Sequence, residues 1–187
     1  MKKVFLDCGG NQGQGLRQIY KIYNMNDEWT IETFEPNRLC EIEEHLKDIK
    51  VKINNKAICE YTGFVDFSIM LEDSQGSAVL NTMTEGFCSD PNSLSFRKND
   101  CIIKVECLDL SDVIRRYEDA DFLVVKLDIE GSEFKVLRKT IKNGTIRKIN
   151  DLYVEWHHPY VKGENLETVN SLKQEIKKNN VNVYDWH

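Results

Sequence analysis

Val4-Phe5-Leu6-Asp7-Cys8-Gly9-Gly10-Asn11-Gln12-Gly13-Gln14-Gly15 is the stretch on which the reading of the fold depends. Three apolar residues followed by a carboxylate and a run of glycines describe a strand entering a tight turn. Beyond the turn, Leu16, Ile19, Tyr20 and Tyr23 recur at helical spacing. Trp29 to Glu35 then reads as a second strand. Pro36 closes it, and Asn37 can cap a helix reaching about Leu46. Val51 to Ile58 reads as a third strand. This β-α-β-α-β opening is the first half of a doubly wound parallel sheet.

The middle of the chain is less regular. Gly63 to Met70 alternates like a half-exposed strand. Residues 72–99 are polar and are expected to form a long loop, the kind that serves as a lid or binding loop. Ile102 to Cys107 is a strand, and Leu110, Val113, Ile114 and Tyr117 mark a short helix. Phe122 to Asp128 is a near-continuous apolar run ending in a carboxylate, as a central parallel strand requires. Phe134, Leu137 and Ile141 mark a helix that stops near Gly144. A strand over Ile149 to Trp156, a helix through Leu166, Val169, Leu172 and Ile176, and a strand over Val181 to Trp186 complete the pattern. The expected class is α/β: one domain over residues 1–187 with a doubly wound, mostly parallel twisted sheet and an antiparallel final strand.

Composition narrows the partners. A formal net charge of −6 and the lack of any basic block argue against nucleic acid, whose phosphates demand a basic face. No apolar run approaches a membrane span. The opening Met1 to Asp7 turns polar too soon for a signal peptide, so a cytoplasmic location is expected. The chain opens directly on a strand, so no N-terminal helix is expected over the site. Six cysteines without a Cys-x-x-Cys pair give no zinc pattern and read as reduced thiols.

In a doubly wound sheet, ligands lie beyond the carboxyl ends of the strands. Asp7, Glu35, Asp128 and the pair Glu155 and His157 all fall at such ends. Glu35 lies about twenty residues past the glycine turn, where a carboxylate can accept ribose hydroxyl protons. The dinucleotide pattern Gly-x-Gly-x-x-Gly is broken, because Gln18 occupies its last position, and no P-loop is present. A carboxylate ahead of the glycines would repel a pyrophosphate. It would suit a ligand that joins a ribose to a positive amino group, such as S-adenosylmethionine.

Three segments carry a resemblance: Asp7 to Gly13, Phe34-Glu35-Pro36-Asn37, and Lys126-Leu127-Asp128-Ile129-Glu130-Gly131-Ser132-Glu133. In order and approximate spacing they resemble the FkbM-like S-adenosylmethionine-dependent methyltransferases. Ala57-Ile58 with Gly63, and Val105 to Asp109, extend the likeness, which runs from about Phe5 to Trp156. The resemblance implies a Rossmann-like class I methyltransferase. It implies that Gly9, Gly10, Asn11 and Gly13 hold the methionine part of the cofactor, with Asp7 facing its ammonium group. It implies that Glu35 binds the ribose, that Pro36 and Asn37 shape the adenosine pocket, and that Ala57 lies near the adenine. Asp128 and Glu130 would lie near the transferable methyl group.

The expected reaction is methyl transfer to a hydroxyl of a small acceptor, a sugar or glycan. Asp128, Glu130 and His157 are alternative bases for that hydroxyl. Together with Glu155 they could instead hold magnesium or manganese. Glu130 can also be read as a helix-start carboxylate, His157 as a structural hydrogen-bonding group, and Lys126 as a structural ion-pair partner. Trp156 and Tyr160 could stack on a sugar face or simply pack. The rival readings are an NAD-dependent oxidoreductase and a catalytically inactive interaction module.

Overall fold

The computed structural model describes residues 1–69, 77–79 and 101–187. β1 (Lys3–Cys8) lies at the centre of a six-stranded sheet. On one side it pairs with β2 (Trp29–Phe34), which pairs with β3 (Lys52–Asn54). On the other it pairs with β8 (Phe122–Leu127), followed by β9 (Asp151–Val154) and β10 (Asn182–Asp185). Every pairing in this sheet is parallel. The expectation of an antiparallel final strand is therefore corrected: β10 runs parallel to β9. A second sheet has the order β4-β7-β5-β6, formed by β4 (Ala57–Cys59), β5 (Gly63–Ile69), β6 (Ala78–Val79) and β7 (Cys101–Asp109). There β5 runs antiparallel to both of its neighbours.

The helices cover the two faces of the large sheet. α1 (Gln14–Ile22) and α2 (Ile42–Leu46) lie on one side; α3 (Leu110–Arg115), α4 (Glu133–Lys142) and α5 (Leu166–Lys178) lie on the other. Strand alternation explains this division. Val4, Leu6 and Cys8 of β1 join Leu123, Val125 and Leu127 of β8 under α3 and α4. Phe5 and Val124 face the opposite way, towards Leu16 and Ile19 of α1. Each fully buried side chain of this size contributes about 1.5–3 kcal/mol. Asp7 and Lys126 are the next residues on the α1 face, directly opposite each other in register. The alternation that builds the core thus also buries an ion pair.

The run read as one strand over Val51 to Ile58 is two. β3 leaves the large sheet after Asn54, and β4 pairs with β7 in the second sheet. Asn37 caps a 3-10 turn over Arg38–Cys40 rather than a continuous helix; α2 starts afresh after Glu41. The expected loop over 72–99 falls outside the described residues except for 77–79. Among the described residues no helix is long and apolar enough to cross a membrane.

Strand order reverses between β1 and β8: β2 follows β1 on one side, and β9 follows β8 on the other. Such a switch point opens a crevice beyond the strand ends. Cys8 and Asp128 stand at its lip.

Candidate functional site

The turn after β1 is locked to the turn after β8 by main-chain contacts. The Asp128 N–H donates to Cys8 O at 3.0 Å, and the Gly9 N–H donates to Phe34 O at 3.0 Å. Gly9 has φ +84°, and a Cβ there would stand 1.6 Å from the Asp128 carbonyl oxygen. Only glycine fits that approach. Lys126 completes the lock from below. Its side chain is 2% exposed, and its ammonium lies 3.3 Å from Asp7 Oδ1, 3.2 Å from Asp128 Oδ2 and 3.0 Å from Gly9 O. Burial opposes the charge on Lys126, but Asp7 and Asp128 outweigh it and keep the ammonium protonated. The first turn of α1 passes over this lysine: a Cβ at Gly15 would come within 2.5 Å of Lys126 Cε.

Two compartments meet at this lock. The first is a crevice of about 530 Å³, counting the space that is open to solvent. Phe34, Ala57, Ile58, Phe67 and Val79 give it an apolar wall, and Glu35 and Pro36 line it beside them. Glu35 Oε2 accepts the Asn11 N–H and Oε1 accepts the Asn37 N–H, both at 2.8 Å. Burial pushes its carboxyl up to about 7 against the pull of those two N–H groups. A carboxylate held this way can still accept hydroxyl protons on its remaining lone pairs. The second compartment, about 770 Å³, is polar; Gln14, Gln18, Glu155, Trp186 and His187 are among its lining residues. Gly9, Asn11, Asp128 and Glu130 line both.

Glu130 and Gly131 both take left-handed backbone, with φ 52° and 94°. A non-glycine residue there is uncommon and often marks a functional turn. Glu130 Oε2 lies 3.4 Å from His157 Nε2, and Glu155 Oε1 lies 3.7 Å from the same nitrogen. Behind the ring, His157 Nδ1 meets Glu133 Oε1 at 3.0 Å. Burial pushes Glu130 up to about 7; His157 pulls it down, and Asp128, Glu133 and Glu155 add to the rise. Glu155 is raised by burial and by Asp128. Burial alone would lower His157, yet its contact with Glu133 and the charges of Glu133, Glu130 and Glu155 hold the imidazolium up to about 9.

Asp128, Glu130 and His157 bring one oxygen or nitrogen each within 4.8 Å of one another. The set does not fit a divalent ion as it stands. The Lys126 ammonium already holds Asp128, and His157 must lose a tightly held proton before it can ligate. The cluster is compensated by cations of its own chain.

The crevice therefore collects Gly9, Gly10, Asn11, Glu35, Pro36, Ala57, Asp128, Glu130 and Glu155. Four expected placements differ. Asp7 is fully buried, taken up by Lys126 and by the Thr33 hydroxyl at 3.0 Å, so it does not face a ligand ammonium. Gly13 caps α1 with φ 90° and packs against Leu46. Asn37 supports Glu35 and the 3-10 turn from behind. His157 lies behind Glu130 rather than on the crevice wall.

Several residues came to light only in three dimensions. Phe67 belongs to the buried alternation Val65, Phe67, Ile69 of β5, so the period of two marked its face but not the slot behind it. Trp186 and His187 gave no comparable signal. Glu133 stood within the Lys126 to Glu133 segment and was assigned no role.

No curated protein and no solved structure shows significant similarity to this chain. A family model described as the methyltransferase FkbM domain matches residues 7–180. That match spans the glycine turn, the Glu35 segment and the Asp128–Glu133 turn, and the chain belongs to the FkbM methyltransferase family.

Proposed function

We propose that the protein transfers the methyl group of S-adenosylmethionine to a hydroxyl of a small polyhydroxylated acceptor, a sugar or glycan. The observation that carries this reading is the meeting of two compartments at Asp128 and Glu130: a slot with an apolar wall and the Glu35 carboxylate on one side, and a polar chamber with Glu155 on the other. S-adenosylmethionine supplies a methyl group already activated on a positive sulfur. Its nucleoside suits the slot, with Glu35 accepting the ribose hydroxyl protons. Asp128 and Glu155 suit its ammonium group, the role expected of Asp7 from the sequence.

What remains for the protein is alignment and removal of one proton. Glu130 is the base in this reading. It borders both compartments, and a carboxyl held near 7 both takes up and releases a proton at neutral pH. The acceptor oxygen gives its proton to Glu130 as it bonds to the methyl carbon, and the carbon–sulfur bond breaks with its electron pair on sulfur. The step balances without a further reactant.

Calorimetry with S-adenosylhomocysteine and with NAD tests the cofactor. The former is expected to bind and the latter not. Glu35→Gln should weaken S-adenosylhomocysteine binding about tenfold or more, since a charge-assisted hydrogen bond contributes roughly 1.5–3 kcal/mol. Equal affinity in the variant would remove Glu35 from the ribose site. Transfer of labelled methyl to a panel of monosaccharides and oligosaccharides tests the acceptor. Label recovered only on nitrogen would overturn the hydroxyl reading. Magnesium or manganese is expected to leave the melting temperature unchanged, and a chelator to leave transfer unchanged. Chelator-sensitive transfer would restore the metal reading of the cluster.

A further inference from the structure

We propose that Glu133 is a positioning residue of the methyl-transfer site: it fixes the His157 ring so that Nε2 faces Glu130, and through that ring it governs when Glu130 can take a proton. The inference rests on Glu130 as the base proposed above.

Glu133 is the first residue of α4, and no part of it reaches solvent. Its Oε1 accepts the Ile129 N–H at 2.8 Å and meets His157 Nδ1 at 3.0 Å. Ile129 lies between Asp128 and Glu130, so one oxygen aligns both the acid-bearing turn and the ring. The other oxygen, Oε2, is buried without a hydrogen-bond partner among the described residues. A buried carboxylate is costly unless a charge opposes it. Closing the Ile129 turn needs only a neutral acceptor, so the charge on Glu133 answers to His157.

The ring itself is 8% exposed, and its Nε2 is aimed at Glu130 and Glu155. Glu133, His157 and Glu130 thus form a chain of carboxylate, imidazolium and carboxylate. The charges around it are Glu133 from α4, Glu130 and Asp128 from the turn after β8, Glu155 from the end of β9, and Lys126 beneath Asp128. Among the described residues, only Glu133 faces His157 from the side away from the crevice. A ligand therefore leaves this contact in place, while Glu130 remains at the crevice.

Glu133→Gln tests the proposal because its amide oxygen can keep both contacts while the charge is lost. NMR titration of the His157 ring carbons, and of the Glu130 side-chain carbonyl carbon, reads the result. In the wild type His157 is expected to titrate near 9. In the variant its midpoint should fall by about one pH unit or more, because the carboxylate charge beside Nδ1 is gone. A Glu133 that only closed the helix start would leave that midpoint in place, and that result in the folded variant would overturn the proposal. His157→Gln tests the second half, whether or not Glu133→Gln folds: the Glu130 midpoint should rise above about 7, and an unchanged midpoint would overturn the proposal. S-adenosylhomocysteine affinity should change less than about threefold in either variant, since neither residue lines a compartment. Failure of the wild type to bind S-adenosylhomocysteine would instead count against the methyl-transfer reading and leave the titrations to stand alone.

Discussion

Lys126 shows how a single residue can serve fold and site together. The sequence placed it in an apolar strand and left open whether it paired for structure or function. Its ammonium neutralises Asp7 below the turn, holds Asp128 at the crevice and ties down the Gly9 carbonyl. Removing one member of a buried pair leaves the other charge without compensation, which typically costs about 3–5 kcal/mol. Lys126→Met should lose stability on that scale in urea unfolding, and Lys126→Met with Asp7→Asn should recover most of it. If the double variant is no more stable than the single one, Asp7 is not what Lys126 neutralises. The same contacts explain the revised role of Asp7. Its place at the strand end was legible from the sequence, but the register partner that buries its charge was not, because that partner lies more than a hundred residues away.

At the scale of elements, periodicity located most strands and helices, since burial on one face imposes a local repeat. It did not say which strands pair. Val51 to Ile58 carries a continuous strand-like pattern, yet the chain turns at Asn55 and Lys56, where the Lys56 N–H donates back to Asn54 O at 2.8 Å. The two halves then join different sheets, a choice made by β2 and β7 rather than by the residues themselves. The direction of β10 had a local signal that the expectation of an antiparallel final strand missed. α5, thirteen residues long, separates β9 from β10, and a strand, a crossover helix and a strand in one sheet run parallel. The cofactor side of the site was largely legible for the same reason: glycine turns and strand-end carboxylates are local features. Glu133 and His157 meet only because α4 packs beside the end of β9, and no local pattern records that.

Across the whole molecule, the site concentrates acids in a chain that is already net negative, and this gives stability a definite dependence on pH. Glu35 and Glu130 are raised from an ordinary 4.5 to about 7, and His157 from 6.5 to about 9. In each case the folded state binds the proton more tightly than the unfolded chain, so stability falls as pH rises through the interval between the two values. The exposed carboxylates Asp48 and Asp119 are lowered from 3.8, so they act only in acid. For His157 the imidazolium's contribution is intact below 6.5 and gone above about 9, a loss of about 3 kcal/mol at roughly 1.4 kcal/mol per pH unit. The melting temperature of the free protein should therefore decline between pH 6.5 and 9. A bound cation relieves the same repulsion. S-adenosylmethionine differs from S-adenosylhomocysteine by a methyl group and one positive charge at sulfur, so comparing them isolates the effect of that charge. Its stabilisation of the protein should exceed that of the sulfide, and the gap should widen as Glu130 and His157 lose their protons. Thermal melts with each ligand at pH 6.5, 7.5 and 8.5 measure it. A gap that stays constant over that range would mean that Glu130 does not face the sulfur.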